Sequence, residues 1–512
     1  MQTAEDRARY AAFKAKDARF DGNFFVGVSS TSIYCRPVCP AKLPKEANCT
    51  FYDTAAAAEH AGFRPCLLCR PELAPGSAPI DATSALVREA ARLLEENCGN
   101  GQNMAEYVHR LGCSDRHLRR AFMSEFKVSP VQYLQTCRLL LAKNLLTDTQ
   151  LSIMDIAMAA GFGSLRRFND LFKQQYRMPP TALRKQISSK KESAGKTTLM
   201  LGYRPPYQWE QILDFLNQRA IPGVEAVSDN TYMRTVHYMT VEKEEIHGWM
   251  QVAHRPRKNA LAITVSSKLL PALPHILARV RNLFDLYCYP DAVYETLSAM
   301  NDIRPGLCVP GTRLPGCFEP FEMTVRAVLG QQITVKAAGT LAGRIAETFG
   351  TPVETGMPGL THTFPSARNI AALEGEISDH LGPLGITRTR ANTILGLAQK
   401  IVNGKVDLTL CLQPETEMQK LMTIPGIGPW TAHYIAMRAM GWPDAFPHTD
   451  LGVKKALAPL SNEEILEAGE AWRPWRSYAT INLWNSLKAS GVQHDIHHNI
   501  RIPLGCHHFG QR

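Results

Sequence analysis

The chain has 512 residues, too many to pack around one hydrophobic core. Of these residues 45% are hydrophobic and 20% are charged, a composition that is ordinary for a soluble globular protein. We therefore expect about three or four domains. The net charge is +10, and its concentration in a basic middle segment suggests contact with phosphate once motifs support it. No apolar run reaches bilayer length, and the charged N-terminus lacks the apolar core of a signal peptide, so we expect no membrane partner and a cytoplasmic location. In that reducing compartment the 13 cysteines are expected to be thiols or metal ligands.

Four cysteines form two close pairs near the N-terminus. Cys35 and Cys39 lie in Y-C-R-P-V-C-P, and Cys66 and Cys69 lie in F-R-P-C-L-L-C-R-P. Two short pairs separated by a longer loop have the spacing of a tetrahedral thiolate site for Zn²⁺. The spacing alone favours a structural zinc and does not identify a reactive cysteine, so the role of this zinc stays open at this point.

The segment from Phe20 to Pro71 resembles the methyl-accepting N-terminal domain of the Ada proteins. The resemblance implies that the zinc-bound thiolate of Cys35 attacks the methyl group of a methylated DNA phosphate. A metal-bound thiolate stays deprotonated at neutral pH, which suits this chemistry. Pro40 and Lys42 stand where the family often has arginines, so weaker phosphate contacts are expected. The candidate phosphate contacts are Lys42, Lys45, Arg64 and Arg70.

Residues 81–187 are predicted to form an all-α domain, and residues 81–191, with 17 Lys/Arg against 10 Asp/Glu, carry most of the excess positive charge. Two copies of a helix–turn–helix pattern follow one another. Gly112 breaks the first copy and Ser114 caps its second helix, and Gly161 and Ser164 do the same in the second copy. Plain helical hairpins are the alternative, but glycine, cap and arginines recur in the same order.

This segment resembles the AraC-type DNA-binding domain, whose two such units read promoter DNA. Basic residues at the start of the second helix of each unit suit contact with the major groove. The resemblance makes the following residues candidates for groove contact: Arg116, His117 and Arg119 in the first unit, and Arg166 and Arg167 in the second.

A polar stretch at residues 188–198 is predicted to be a linker.

A second DNA-binding pattern appears near the C-terminus. The run L-M-T-I-P-G-I-G-P-W-T-A-H-Y-I-A-M-R predicts two helices joined by a hairpin, in which Gly426 and Gly428 let backbone amides approach a phosphate. Asp450 follows in F-P-H-T-D. An aspartate directly before a helix is most often a cap, and capping and catalysis can coexist in one residue.

From Leu201 almost to Leu487 the chain resembles the helix-hairpin-helix DNA glycosylases of the AlkA type. The resemblance implies that Asp450 is the catalytic aspartate, and that hairpin carbonyls can hold a monovalent cation. Aromatic faces suit an alkylated base because such a base is cationic. Trp430 stands where members that also cut the backbone have a lysine, which implies a monofunctional hydrolase. The implied base-pocket residues are Trp430, Tyr434, Trp484 and Phe215.

Two positions depart from the AlkA-type pattern. Gln332 stands where these enzymes place an apolar wedge that fills the gap left by the flipped base, and it is expected to contact DNA. Leu451 follows the aspartate where an aromatic residue can occur. Either departure is expected to lower the activity or to shift the substrate range.

The sequence therefore predicts a multidomain α+β protein that repairs alkylated DNA and regulates transcription. The alternatives are a regulator whose glycosylase part is only a DNA clamp, and a zinc-stabilised DNA-binding protein without methyl transfer. The expected partners are damaged and promoter double-stranded DNA, with RNA polymerase as a further candidate, and a monomer is expected. The predicted domains are a zinc methyl-acceptor module (1–75), an all-α double helix-turn-helix domain (81–187), a small mixed α/β lobe (199–310) and an all-α helix-hairpin-helix domain (311–495).

Overall fold

The computed structural model describes residues 3–75, 85–99, 104–186, 195–240, 243–409 and 412–489. Across these ranges the predicted multidomain α+β class is confirmed, with two small sheets and many helices. In the part of the chain so described, helices are too short or too polar to cross a membrane. The final residues of the last predicted domain, 490–495, lie outside the described ranges.

The N-terminal module is a four-stranded sheet flanked by two helices. Its elements are α1 (Ala4–Ala15), β1 (Phe25–Val28), β2 (Ile33–Cys35), β3 (Cys49–Tyr52), α2 (Ala55–His60) and β4 (Arg64–Pro65). The strand order is β3-β1-β2-β4, and only the β2–β4 pair is parallel. This parallel pair brings the end of β2 beside the residues that follow β4, which places the two cysteine pairs next to each other.

The second domain is helical, as predicted. Its elements are α3 (Ala85–Glu96), α4 (Met104–Arg110), α5 (Asp115–Phe126), α6 (Pro130–Asp148), α7 (Ile153–Ala159), α8 (Leu165–Tyr176) and α9 (Pro180–Gln186). Helices α4–α5 and α7–α8 are the two helix–turn–helix units, and the long α6 joins them. Leu118 and Phe122 are buried in the first unit, and Phe168 and Phe172 take the same places in the second.

The third region is an antiparallel sheet with helices packed on it. Its elements are β5 (Lys196–Gly202), α10 (Trp209–Gln218), β6 (Glu225–Ser228), β7 (Thr231–Met239), β8 (Glu245–Arg255), β9 (Ala260–Ser266), α11 (Leu273–Leu283), α12 (Pro290–Leu297) and α13 (Met300–Ile303). The strand order is β5-β9-β8-β7-β6. The predicted linker therefore ends earlier than expected, because Thr197 is already buried in β5 and pairs with Val265. Residues 188–194 lie outside the described ranges.

The last region is all helical, as predicted. Its elements are α14 (Pro320–Leu329), α15 (Val335–Phe349), α16 (Ala367–Ala371), α17 (Ile377–Leu381), α18 (Arg388–Val402), α19 (Pro414–Met422), α20 (Pro429–Arg438), α21 (Leu451–Leu457), α22 (Asn462–Glu470) and α23 (Arg476–Ala489). Trp472 and Trp475 are buried and belong to the core of this region.

Buried charges join the second domain to the sheet lobe. Helix α3 packs against α11, and the Glu96 carboxylate lies 3.1 Å from both the Arg279 Nε and the His275 Nδ1. The neighbouring Glu95 accepts a hydrogen bond from the Tyr287 hydroxyl at 3.0 Å. The helix–turn–helix domain is therefore docked on the lobe through desolvated polar contacts.

Candidate functional sites

The four cysteines converge on one point of the N-terminal module. Cys35 ends β2, and the Cys66 amide donates to the Tyr34 carbonyl at 3.0 Å, which fixes the second pair against the first. All four Sγ atoms lie within 4.8 Å of one another, and every one of the four side chains is buried. The structure thus brings together the residues that the spacing predicted.

The donor set fits Zn²⁺. Four thiolates around one zinc ion, each at about 2.3 Å, would place the sulfur atoms about 3.8 Å apart, which matches this cluster. The four cysteines are free thiols rather than disulfides. The Arg36 amide donates to the Cys69 Sγ at 3.3 Å, a contact that stabilises negative charge on that sulfur. Cys35, Cys39, Cys66 and Cys69 would hold the ion.

The basic residues around the quartet differ in their surroundings. Lys42 is exposed and Arg64 is half-buried, so both reach solvent beside the quartet. Arg70 is not available for a phosphate, contrary to the prediction. Its guanidinium pairs with Asp148 at 2.7 Å and with Glu72 at 2.9 Å, and so ties the zinc loop to α6.

The two helix–turn–helix units have the same local construction. The Ser114 hydroxyl accepts from the His117 amide at 3.2 Å, and the Ser164 hydroxyl accepts from the Arg167 amide at 3.1 Å. Both serines are therefore helix caps, as predicted. The predicted groove residues all lie exposed on the first turns of α5 and α8, where Arg119 pairs with Asp115 at 2.8 Å; they are Arg116, His117, Arg119, Arg166 and Arg167.

The hairpin between α19 and α20 is a tight turn on the protein surface. Gly426 has a φ of +92°, and a Cβ there would lie 2.2 Å from the Thr393 Oγ1, so only glycine fits. Gly428 is exposed and precedes α20. The Gln331 side chain donates to the Gly426 carbonyl at 2.8 Å. Its neighbour Gln332, at the position of the apolar wedge in AlkA-type enzymes, is exposed with a φ of +57°. The contact of Gln331 therefore fastens the loop that carries Gln332 to the hairpin.

A buried carboxylate lies behind this hairpin. Asp450 is 2% exposed and caps α21, with its Oδ1 accepting from the Val453 amide at 3.1 Å. The indole of Trp484 donates to the same oxygen at 2.8 Å, and the indole of Trp430 donates to Oδ2 at 3.0 Å. Three donors thus hold the carboxylate in one orientation. Asp450 caps α21, as expected, and its carboxylate is also part of a candidate site.

Aromatic rings form one wall of the cavity above Asp450. The rings of Trp430 and Tyr434 stack at 5.4 Å with an interplanar angle of 7°. Leu451 begins α21 and is not among the residues that line the cavity. The cavity has a volume of about 70 Å³, and it is lined by Arg219, Arg326, Ala327, Gly330, Ile333, Val335, Ala338, Trp430, Tyr434, Asp450, Gly452 and Trp484.

Phe215 lies one layer behind this cavity. Its ring stacks beside Trp484 at 6.4 Å, and the guanidiniums of Arg219 and Arg438 lie over it at 3.8 and 4.6 Å. Among the predicted base-pocket residues, the structure therefore brings three to the cavity wall and places Phe215 as their support.

Sequence reasoning missed two cavity residues, Arg219 and Arg326. Arg219 follows Phe215 by four positions, so the two share one helical face. That spacing was the available signal, since residues four apart in a helix are neighbours on its surface. Arg326 lies within V-R-A-V-L-G-Q-Q, where no local spacing indicates a pocket residue.

Charge around Tyr434 shifts its ionisation. Burial raises the pKa of the phenol, but the guanidiniums of Arg438, Arg219 and Arg326 outweigh burial and lower that pKa to about 8. The Arg438 side chain donates to the phenol oxygen at 2.9 Å. The cavity wall therefore carries a positive potential.

Four family models match the chain in the order that the structure displays. They are the metal binding domain of Ada over residues 8–72, a helix-turn-helix domain over 107–186, the AlkA N-terminal domain over 198–319 and the HhH-GPD superfamily base excision DNA repair protein over 325–465.

Curated proteins resemble the whole chain or parts of it. A probable bifunctional transcriptional activator/DNA repair enzyme AlkA of Mycobacterium tuberculosis is 36% identical over 488 residues, which cover 94% of this chain and 96% of that protein. DNA-3-methyladenine glycosylase 2 of Escherichia coli is 34% identical over 56% of this chain and 95% of its own length. The bifunctional transcriptional activator/DNA repair enzyme AdaA of Bacillus subtilis is 30% identical over 36% of this chain and 85% of its own length.

Proposed function

Because the chain belongs to the family of bifunctional transcriptional activator/DNA repair enzymes AlkA, we propose that it excises alkylated bases of the 3-methyladenine type from DNA through Asp450. The protein is a DNA-binding hydrolase of N-glycosyl bonds and a transcription regulator. The observation that carries the choice of Asp450 is its buried carboxylate, with both oxygens held by indole N–H groups at the floor of an aromatic cavity.

The proposed chemistry uses the charge of Asp450. A flipped-out alkylated purine is cationic, so its glycosidic bond is already weakened and needs no strong general acid. The carboxylate stabilises the developing oxocarbenium ion and orients the attacking water. Trp430 occupies the position that a lysine would need for a covalent intermediate, so we propose a monofunctional hydrolase.

The hairpin and the Gln332 loop grip the DNA on either side of the cavity. Gly426 and Gly428 present backbone amides to a phosphate, and Gln332 enters the duplex where the base has left it. The Gln331 contact to the hairpin holds these two parts in register. A monovalent cation on the hairpin carbonyls is part of the same proposal.

The substitution Asp450→Asn tests the excision proposal. Asparagine keeps an oxygen that can accept from the Val453 amide, but it lacks the negative charge and places its NH₂ group against one indole N–H. Excision should therefore fall about 100-fold or more. The measurement is release of methylated purines from alkylated DNA, with Asp379→Asn, an exposed aspartate, as the matched control. Equal rates for wild type and Asp450→Asn would remove Asp450 from the mechanism. No release by wild-type protein would favour the DNA-clamp alternative.

We further propose that the Cys35 thiolate accepts methyl groups from DNA methylphosphotriesters. The sulfur attacks the methyl carbon, an S–C bond forms, the C–O bond breaks, and the phosphodiester leaves as an anion. The bound Zn²⁺ would keep the four sulfurs deprotonated. The thioether has no route back, so each protein molecule reacts once. Lys42 and Arg64 are the proposed contacts to the flanking phosphates.

Intact-mass measurement after incubation with methylphosphotriester DNA tests the transfer. We expect the mass of one methyl group per protein molecule, located on Cys35 by peptide mapping. Cys49→Ser is the matched control, since Cys49 lies in the same module outside the quartet. An unmodified Cys35 in zinc-loaded protein would leave the quartet with a structural role only.

Regulation follows from the neighbouring DNA reader. We propose that Arg116, His117, Arg119, Arg166 and Arg167 contact promoter DNA, and that the protein acts as a cytoplasmic monomer beside RNA polymerase. Methylation of Cys35 removes negative charge from the quartet, so promoter affinity should rise, and most at low salt. Promoter titrations before and after methylation, at two salt concentrations, measure this. Identical affinities would separate repair from regulation.

A further inference from the structure

A second cluster of metal-ligating side chains lies on the sheet lobe, outside both sites described above. His237 on β7 and His247 on β8 stand directly opposite each other in the antiparallel register. Glu245 lies two residues before His247, and side chains alternate between the faces of a strand, so all three share one face of the sheet. The Nε2 atoms of His237 and His247 lie 3.8 and 3.6 Å from the two oxygens of Glu245. Two imidazoles thus converge on one carboxylate.

The distances within this cluster are those of ligands that share an ion. They are too long for hydrogen bonds, which join nitrogen and oxygen at about 2.7–3.2 Å. Donor atoms bound at about 2.0–2.2 Å to a tetrahedral Zn²⁺ lie about 3.4 Å from each other. The three donor atoms do not all lie within 4.8 Å of one another, as the four sulfurs of the quartet do. The imidazole centroids are 5.1 Å apart, so small rotations of the two rings would close the set on one ion.

The surroundings leave the cluster free to bind an ion. Among the described residues, the His247 Nδ1 is buried without a hydrogen-bond partner, and the Glu245 side chain is 46% exposed. Both residues line a groove of about 1110 Å³ between β8 and the loop at residues 352–361, which gives a hydrated ion a path to the site. Lys268 and Glu354, of opposite charge, line the same groove. The cluster is therefore accessible without being fully solvated.

We propose that His237, His247 and Glu245 bind a divalent transition-metal ion, with Zn²⁺ as the expected occupant. Two imidazole nitrogens and one carboxylate oxygen are a ligand set that suits zinc, and three protein ligands leave a fourth position for water. The ion would cross-link β7 and β8. Val236 and Met250 are buried in these strands, so the sheet has a core of its own and the ion adds to its stability. The proposal depends on neither base excision nor methyl transfer.

Hydrogen exchange measured by mass spectrometry tests the site on the full chain. The quartet is filled first with one equivalent of Zn²⁺, and further Zn²⁺ is then titrated. The readout is local, across residues 231–255, because histidines of the C-terminal sequence at 494–508 can also bind Zn²⁺. We expect amide exchange in β7 and β8 of the wild type to slow as Zn²⁺ is added.

The variant His247→Asn removes one ligand. Loss of a group that only orients a ligand already lowers metal affinity about 10–100-fold, so the Zn²⁺ concentration that gives half the slowing should rise about 100-fold or more. His109→Asn, which removes an exposed histidine of α4, is the matched control and should leave the titration unchanged.

Two results would overturn the proposal. One is exchange in residues 231–255 of the wild type that does not respond to Zn²⁺, and the other is an equal response in wild type and His247→Asn. If His247→Asn melts at a lower temperature without added Zn²⁺, Glu245→Gln decides, since Glu245 is exposed and glutamine keeps its shape. Its half-slowing concentration should rise about tenfold or more, and an unchanged value contradicts the proposal. Slowing confined to residues 3–75 would assign zinc to the quartet alone and contradict it as well.

Discussion

The cysteine quartet and the Asp450 cavity are assembled in opposite ways. The quartet takes its residues from two short segments, 35–39 and 66–69, which adjacent strands bring together. The cavity takes its residues from Arg219 to Trp484, across two regions of the fold. A local site can be recognised from spacing and depends on one small module, whereas a distributed site depends on the packing of many helices. The two should therefore respond differently to the same disturbance.

The two sites also have different neighbours. The loops of the quartet are fastened to the DNA reader, since the Lys143 ammonium on α6 donates to the Cys66 carbonyl at 3.3 Å and is paired with Glu72. The cavity is fastened to its own DNA hairpin through Gln331. If the proposed function holds, the quartet is placed to influence promoter reading, and the cavity to act on DNA bound by the hairpin.

Removal of zinc is expected to have the largest effect and to separate the two sites. Structural zinc contributes about 10–16 kcal/mol of folding free energy in small domains, so residues 3–75 should lose their protected structure after chelation. Hydrogen exchange across these residues measures the loss. Base excision should stay within about twofold of the untreated rate, because the cavity lies in a separately packed core. A parallel collapse of excision would show that the two sites fold as one unit.

A pH-dependent effect is expected at the boundary of the quartet module. Glu59 is buried, with its oxygens accepting from Tyr34 at 3.0 Å and Thr136 at 2.8 Å. Burial raises the pKa of Glu59 to about 7, above the value of about 4.3 in an unfolded chain. The unfolded state therefore loses this proton first as pH rises. The contribution of Glu59 to stability is fully present below about pH 4.3 and declines toward pH 7, by about 4 kcal/mol in total.

Urea unfolding between pH 5 and 8, with zinc present, checks this for wild type and Glu59→Gln. Glutamine cannot ionise, so the unfolding free energy of wild type relative to that of Glu59→Gln should fall as the pH rises. A difference that stays constant across this range would mean that Glu59 ionises in the folded protein as it does in the unfolded chain.

The smallest effect is expected from Gly452→Ala, which disturbs the cavity alone. A Cβ at Gly452 would lie 2.7 Å from the Trp484 ring and 2.9 Å from the Asp450 Oδ1. Overpacking of this kind costs about 1–3 kcal/mol and should displace the carboxylate, so excision should fall about tenfold. Gly382→Ala is the matched control, since a Cβ there meets nothing within 4 Å. Methyl transfer to the quartet should be unaffected, and a loss there would contradict the independence of the two sites.

Local signals in the sequence predicted the local parts of the structure correctly. The caps at Ser114 and Ser164 and the turn at Gly426 depend on contacts within a few residues, so their motifs were sufficient. Arg70 was predicted to face DNA and instead pairs with Asp148, because its partner lies in the next domain and nothing in the motif encodes it. The end of the linker was misplaced for a related reason: Thr197 is buried only because β9 lies beside it.

By itself, the sequence determined the cysteine quartet and the duplicated DNA reader from spacing over a few residues, and its resemblance to known families gave the order of the modules and Asp450 as a candidate. Only the tertiary structure decided that Phe215 supports the cavity from behind and that Arg219 and Arg326 line it. The physical reason is that spacing fixes which side chains share one helix face or turn. The convergence of side chains from distant helices is set by how those helices pack, and the charge of the cavity is a property of that convergence.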